Sequence, residues 1–207
     1  MHQYPVNLVL DGRRCLVVGG GTIALRKVQG LVACGGQVRV VAPRIDPDLR
    51  KMDEVEFDER PWQPEDLDGV WLVIAATDDA TVNRAVYDAG QRAGVWVNGA
   101  DDPANCSFTL PSVVRRGDLQ IAVSTAGRSP ALARWLRGRF ESEIGPEYAT
   151  LLDILATERE GLKAAGRSTE GLDWQSALDS DMLGLIRNGD LVHARERLLT
   201  CLSSSSD

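Results

Sequence analysis

An apolar run of strand length that breaks into three consecutive glycines and resumes as a helix leaves a chain few ways to fold. Residues Arg14 to Val18 (RCLVV) are such a run, Gly19-Gly20-Gly21 follow, and Ile23, Ala24, Lys27, Val28 and Leu31 then recur at three- and four-residue steps until Gly35-Gly36 stops the pattern. A second strand, Gln37 to Val41, closes at Pro43. Val70 to Ala76 (VWLVIAA) is apolar at every position, as expected of a strand covered on both faces of a parallel sheet. Asp79 to Ala93 reads as a helix with Val82, Ala85, Val86 and Ala89 on one face, and Val95 to Asn98 as one more strand. This alternation predicts an α/β fold over residues 1–111: a Rossmann-type parallel sheet with helices on both sides, joined by right-handed crossovers.

Past residue 106 the rhythm changes. Ser107 to Leu110 and Leu119 to Ser124 read as strands separated by a basic turn, Arg115-Arg116-Gly117-Asp118. Ser129-Pro130 opens a helix to about Phe140, with serine at the cap and proline at the first helical position. Beyond Gly145-Pro146 the pattern is helical to Leu202, with breaks near Gly166 and Gly189 and a fraying tail at Ser203 to Ser206. The expected organisation is therefore a dinucleotide-binding domain over 1–111, a short connecting region over 112–146 and a small helical domain over 147–207.

The net charge of −7 over 207 residues argues against a general nucleic-acid binder, whose affinity comes from lysine and arginine displacing counterions. The sum hides opposed blocks: +5 over 1–52, −7 over 53–68, −3 over 69–111, +5 over 112–140, −7 over 141–181 and 0 over 182–207. A basic patch on an acidic protein can hold a small polyanion. The four cysteines, Cys15, Cys34, Cys106 and Cys201, form no CxxC pair and indicate neither a zinc cluster nor a disulfide framework. No secretory leader is recognisable, and no apolar run approaches the roughly 18 residues of a membrane span. A reducing cytoplasm with free thiols is the expected compartment.

The first chemical signal is Gly19-x-Gly21-x-x-Ala24 between a strand and a helix. Glycine at 19 allows the tight turn, glycine at 21 lets a pyrophosphate approach the backbone, and a small residue at 24 lets the helix pack on the strand. The amides of Thr22 and Ile23 then face the phosphates at the positive end of the helix. The acidic residue that commonly holds the adenosine ribose is missing, because the second strand ends Val40-Val41-Ala42-Pro43-Arg44. Arg44 can accept a 2′-phosphate or be a solvated loop residue. Thr77 and Asp78, after VWLVIAA, fall at the switch point where such sheets bind ligands, or else cap the next helix. Asp101 and Asp102, in NGADDPANCSF, offer a general base at the crevice edge or only an Asp-Asp-Pro turn. His2 and His193 read as surface residues, and no nucleophilic triad or metal set is visible.

The stretches LVVGGGTIALRKVQGLVACGGQVRVVAP, IAATDDATVNRAV, VNGADDPANCSFTLPSVVRRGDLQIAVST and GRSPALARWLR together resemble the precorrin-2 dehydrogenase family, the dehydrogenase and chelatase module of siroheme synthases. The resemblance runs from residue 4 to about 140 and implies NAD-dependent oxidation of precorrin-2 to sirohydrochlorin, with Fe²⁺ insertion in bifunctional members. It places the family's key carboxylate on Asp101, as a proton handler, and the cofactor contacts on Thr22, Ile23, Pro43 and Arg44, with NAD as cofactor in spite of Arg44. A serine before the loop glycine in many relatives corresponds to Thr125 here, preceded by Ser124. The 112–146 region is then the dimerisation region of a homodimer, and the chain corresponds to a free-standing form with no methyltransferase domain.

The same resemblance gives the basic block a purpose. Precorrin-2 carries carboxylates around its rim, and guanidinium groups pair with carboxylates bidentately without losing charge. Arg115, Arg116, Arg128, Arg134, Arg137 and Arg139 are the candidates, with Arg128 favoured for its place beside the Ser124-Thr125 loop. Two other readings stay open: an NAD(H)-sensing regulatory module without chemistry, and a dehydrogenase of another small molecule.

Overall fold

In the central strands of the sheet, side chains alternate between two apolar cores, and this alternation organises the first half of the molecule. A computed structural model describes residues 3–203 and divides the chain into two compact units, Met1–Leu110 and Pro111–Asp207. In the first unit β1 (Arg14–Val18), β2 (Gln37–Val41), β3 (Glu56–Asp58), β4 (Leu72–Ala75) and β5 (Trp96–Gly99) form one parallel sheet in the order β3-β2-β1-β4-β5. Cys15 and Val17 of β1, Val38 and Val40 of β2, and Leu72 and Ile74 of β4 pack with Ala24, Val28 and Leu31 of α1 (Thr22–Val32). Leu16, Val18, Val41, Val73, Ala75 and Val97 point the other way, onto Val86 and Ala89 of α2 (Ala80–Ala93). The expected Rossmann-type fold is therefore present, with the order of connection reversing between β1 and β4.

Three details differ from the sequence expectation. Strand β3 lies within the acidic stretch and was not expected; at three residues on a sheet edge it needs little apolar character. The strand expected at Val70–Ala76 is shorter, Leu72–Ala75. No strand forms at Ser107–Leu110: the Ser107 amide donates to Val97 O at 2.8 Å and its hydroxyl accepts from Val97 N at 2.7 Å, while the backbone pairing beside them is an isolated bridge of Asn98 with Cys106. The segment returns beside the sheet without building a ladder.

In the second unit the hairpin is formed instead by β6 (Ser112–Arg116) and β7 (Leu119–Val123), so Arg115 and Arg116 belong to a strand and only Gly117-Asp118 make the turn. The helix α3 (Pro130–Glu143) starts where the Ser129 hydroxyl accepts the Leu132 amide at 3.2 Å. Then come α4 (Glu147–Ala164), α5 (Trp174–Leu178), α6 (Met182–Arg187) and α7 (Leu191–Ser203). Leu151, Leu162, Ala177, Met182, Ile186, Ala194, Leu198 and Leu202 close a separate core among α4 to α7. Breaks fall at Gly166 and Gly189 as expected. Of the expected fraying tail, Ser203 ends α7; residues 204–206, like His2, lie outside the described residues. Among the described residues no helix is long and apolar enough to cross a membrane.

Candidate dinucleotide site

Three turns meet at the carboxyl edge of the sheet, and the glycines explain how closely. Gly19 has φ 122°, in the region that favours glycine, and a β-carbon there would run into the carbonyl of Ala76. At Gly20 a β-carbon would overlap the carbonyl of Arg44 and come within 3.1 Å of the Ala42 side chain. Gly19 N donates to Val41 O at 3.0 Å, and Asp46 N to Gly20 O at 2.8 Å. The turns after β1, β2 and β4 are thus fastened to one another through backbone, which brings Gly19, Gly20, Pro43, Arg44 and Thr77 together. Gly20 was the unassigned middle residue of the motif in the sequence; only the packing of the β2 turn reveals its role.

Gly21 differs. A β-carbon there would meet nothing within 4 Å, so the missing side chain serves an approach from outside. Gly21 begins α1 without a side-chain cap, and the first turn carries no acidic residue. The first helical bond is Leu25 N to Gly21 O, so the amides of Thr22, Ile23 and Ala24 precede it and face outward at the positive end of the helix. Thr22 is exposed and Ala24 fully buried. This is a cradle that fits a diphosphate, and the residues present fit a dinucleotide. Pro43 and Arg44 are exposed beside it, and the Arg44 guanidinium has no ion-pair partner among the described residues.

Neither Thr77 nor Asp78 caps α2. The cap is Asp79, whose carboxylate accepts from Thr81 N at 2.8 Å and Val82 N at 3.3 Å. Thr77 latches the turn instead: its hydroxyl donates to Asn83 Oδ1 at 2.8 Å, and Asn83 Nδ2 returns a bond to Thr77 O at 2.9 Å. Asn83, buried to 7% exposure on α2, is a supporting residue that no sequence signal singles out. Asp78 is exposed.

The turn after β5 divides the two adjacent carboxylates between two tasks. Asp102 belongs to the turn: it accepts from Asn105 Nδ2 at 2.6 Å, and its carbonyl accepts from Asn105 N at 3.1 Å and from the Cys106 thiol at 3.2 Å. Burial pushes the Cys106 thiol above its ordinary value. Asp101 is exposed, takes a left-handed backbone with φ 59°, and is held by no side-chain hydrogen bond among the described residues. Ala100 N donates to Ala75 O at 2.8 Å, which keeps the Asp101 turn level with the end of β4. One acceptor in this turn, Asn105 Oδ1, is buried without a partner among the described residues.

In the second unit, the Thr125 hydroxyl accepts from Ser129 N at 3.2 Å and donates to Ser129 O at 3.1 Å, fastening the loop to the start of α3. Ser124 Oγ accepts from Ala126 N at 3.3 Å. Arg116 is spent on the carbonyls of Ile144 and Glu141, Arg137 pairs with Glu141, and Arg139 pairs with Glu143 and lies over the Trp135 ring. Arg128 and Arg134 are exposed with no ion pair among the described residues. Among the described residues no three His, Cys, Asp or Glu side chains gather as a metal site requires.

The comparisons with known proteins follow the same division. A model of an NAD(P)-binding family matches residues 6–112, and the model for the central part of sirohaem biosynthesis proteins matches residues 116–143. The chain belongs to the NAD(P)-binding family found in siroheme synthases. It is 35% identical over 210 residues to a siroheme synthase of Photorhabdus laumondii, covering 99% of this chain and 45% of that protein. It is 39% identical over 212 residues to one of Thioalkalivibrio sulfidiphilus, covering 100% and 43%. The chain thus spans less than half the length of these curated relatives. A solved structure, SirC, precorrin-2 dehydrogenase, superposes with a TM-score of 0.72 at 28% identity, covering 96% of this chain and 98% of that one.

Proposed function

We propose that the chain oxidises precorrin-2 to sirohydrochlorin with NAD as acceptor, and that Asp101 is its catalytic residue. The observation that carries this reading is the pairing, on one sheet edge, of an uncapped glycine cradle with a carboxylate that its own turn leaves untied. The likeness to SirC, precorrin-2 dehydrogenase, and to the siroheme synthase relatives supports it.

Each residue then has a task. Gly19 and Gly20 set the turn, Gly21 leaves room for the diphosphate, and the amides of Thr22, Ile23 and Ala24 bind it. Pro43 and Arg44 flank the adenosine end, while Thr77, latched by Asn83, and Asp78 edge the crevice toward the nicotinamide end. When bound, NAD supplies the acceptor for the hydride of a two-electron oxidation. The proton lost with that hydride goes to Asp101, whose exposure and freedom from local partners leave both oxygens available as acceptors. Arg128, with Ser124 and Thr125 beside it, receives a substrate carboxylate. During Fe²⁺ insertion, with the metal as substrate and the macrocycle nitrogens as its ligands, Asp101 takes the pyrrole protons.

The 112–146 region is read as the dimerisation region of a homodimer, since Leu132 and Trp135 of α3 stand 47% and 58% exposed. Residues 147–207 are read as a helical domain. The cytoplasm, where the four cysteines stay reduced, is the compartment that suits this chemistry.

The test is incubation of the chain with precorrin-2 and NAD, following NADH. Stoichiometric NADH and sirohydrochlorin are expected, with a lower rate for NADP. Tight NAD binding without turnover of precorrin-2 would establish a nucleotide sensor instead. Insertion of Co²⁺ or Fe²⁺ into sirohydrochlorin tests the second activity, and sedimentation of Trp135→Glu against the native chain tests the dimer.

A further inference from the structure

We propose that Asp46 is the carboxylate that receives the adenosine ribose, and that it sets the preference for NAD over NADP. The inference deepens the reading of the dinucleotide site given above and rests on it.

At the end of β2 the acid that commonly holds the ribose hydroxyls is replaced by Ala42, Pro43 and Arg44. The fold brings a carboxylate back from further along the chain. Ile45 and Leu49 are buried in the core they share with α1, and the turn between them carries Asp46 onto the glycine loop, where its amide donates to Gly20 O at 2.8 Å. Only the Asp46 side chain separates that amide from its carboxylate, so the carboxylate oxygens lie within about 7 Å of Gly20 O in any rotamer. A ribose is esterified directly to the diphosphate, and a carboxylate at that range is in reach of its hydroxyls.

Charge pairing distinguishes Asp46 from its neighbours. Asp46, Asp48, Asp58 and Glu59 are the carboxylates nearest in sequence to the carboxyl ends of β2 and β3. Asp48 pairs with Lys51 at 2.6 Å, Asp58 with Arg39 and Arg60 at 3.3 Å each, and Glu59 with Arg50. Asp46 is half-buried, yet it has no cation within ion-pair distance among the described residues. Its Oδ1 accepts from Asp48 N at 2.9 Å, which restrains the side chain, while Oδ2 receives no hydrogen bond among the described residues. An ionised carboxylate only accepts, so it suits the paired hydroxyls of a ribose and repels a 2′-phosphate. Arg44 pulls the other way, but its guanidinium is exposed and without an ion pair, whereas Asp46 is bonded to the glycine loop.

Calorimetric titration of the intact chain with NAD, NADP and 2′-deoxy-NAD, together with Tm, decides the matter. Asp46→Asn keeps an oxygen for the Asp48 amide and removes the charge. It is expected to leave Tm near native, to weaken NAD binding about tenfold and to narrow the preference for NAD over NADP about tenfold or more. The native chain is expected to bind 2′-deoxy-NAD about tenfold more weakly than NAD, and Asp46→Asn to bind the two about equally. An unchanged ratio of NAD to NADP affinity in Asp46→Asn, or the same loss in both chains when the 2′-hydroxyl is removed, overturns the assignment. A lowered Tm with NAD and NADP weakened in equal proportion makes Asp46 a cap of its own turn and overturns it as well. A native chain that binds neither dinucleotide overturns the cradle and Asp46 together. If the native chain binds NAD and does not oxidise precorrin-2, the proposed activity fails, and the same titrations still decide the role of Asp46.

Discussion

The turns after β1 and β5 lie on the same edge of one sheet and are built on opposite principles. The first contains no side chain at all through Gly19, Gly20 and Gly21, and is held by backbone bonds to Val41 and Asp46. The second is held by side chains, with Asp102, Asn105 and Cys106 tied together and Asp101 left over. A backbone turn is suited to a ligand that needs only amides and space. A side-chain turn is suited to chemistry, because it can immobilise one carboxylate and present its neighbour.

The largest effect that can break this contrast is at the carboxylates. Asp101→Asn is expected to lower precorrin-2 turnover by about 10² to 10⁴, with NAD affinity unchanged, as for loss of a general base. Asp102→Ala removes the acceptor for Asn105 and is expected to cost about 1–3 kcal/mol of stability, with a smaller loss of turnover. Urea unfolding and NADH formation on both variants check this. If the two substitutions prove equivalent in both assays, the turn does not divide its carboxylates.

Next in size is the contrast within the glycines. Gly20→Ala places a β-carbon against the Arg44 carbonyl and is expected to destabilise by about 1–3 kcal/mol, an overpacking cost. Gly21→Ala meets open space, so its Tm is expected to stay near native while NAD binding weakens about tenfold or more. Calorimetry of unfolding and of NAD binding separates the two. A Gly21→Ala chain that binds NAD as well as the native one would remove the cradle.

How much of this was legible follows from the same contrast. The glycine turn announces itself because its requirement is backbone, and backbone requirements select residue type directly: Gly19 and Gly21 sit at the expected spacing after a strand. The doubly covered strands were legible for a similar reason, since β4 has no polar position. What the residues alone leave open is who binds whom. Lys27 fits the helical period of α1 as well as any core residue, and only its half-burial distinguishes it. Asn83 looks like any exposed helix residue until Thr77 turns back onto it. The extended segment at 107–110 has strand composition but lacks a ladder, because among the described residues its bonds to β5 reach Val97 and Asn98 alone and run partly through the Ser107 hydroxyl.

Smaller still is the effect of releasing the β4 turn. Asn83→Ala leaves the buried end of Thr77 without its partner and is expected to cost about 1–2 kcal/mol, with a modest loss of NAD affinity. Equilibrium unfolding together with NAD titration measures both; stability unchanged would show that the latch contributes nothing.

The smallest expected effect lies in acid stability and concerns a carboxylate that is bound as fully as Asp101 is free. Asp66 is 5% exposed and accepts from Arg60 Nη1 and from Gln63 N, each at 2.9 Å, with Arg39 at 3.5 Å. Burial pushes its carboxyl upward, but the Arg60 bonds, the Gln63 amide and the charges of Arg60 and Arg39 outweigh it, so the group ends below the ordinary carboxylate range. A folded value below the unfolded one, about 3.9, means that stability is present above that pH and is lost as pH falls through the folded value. The urea midpoint of the native chain is therefore expected to be insensitive to this group from pH 5 to 8 and to fall below about pH 4. In Asp66→Asn that acid slope is expected to flatten. Parallel acid slopes in the native chain and Asp66→Asn would mean that the Arg60 and Arg39 contacts do not distinguish the charged carboxylate from the neutral amide, and that the difference between a tied and an untied carboxylate in this unit is one of geometry alone.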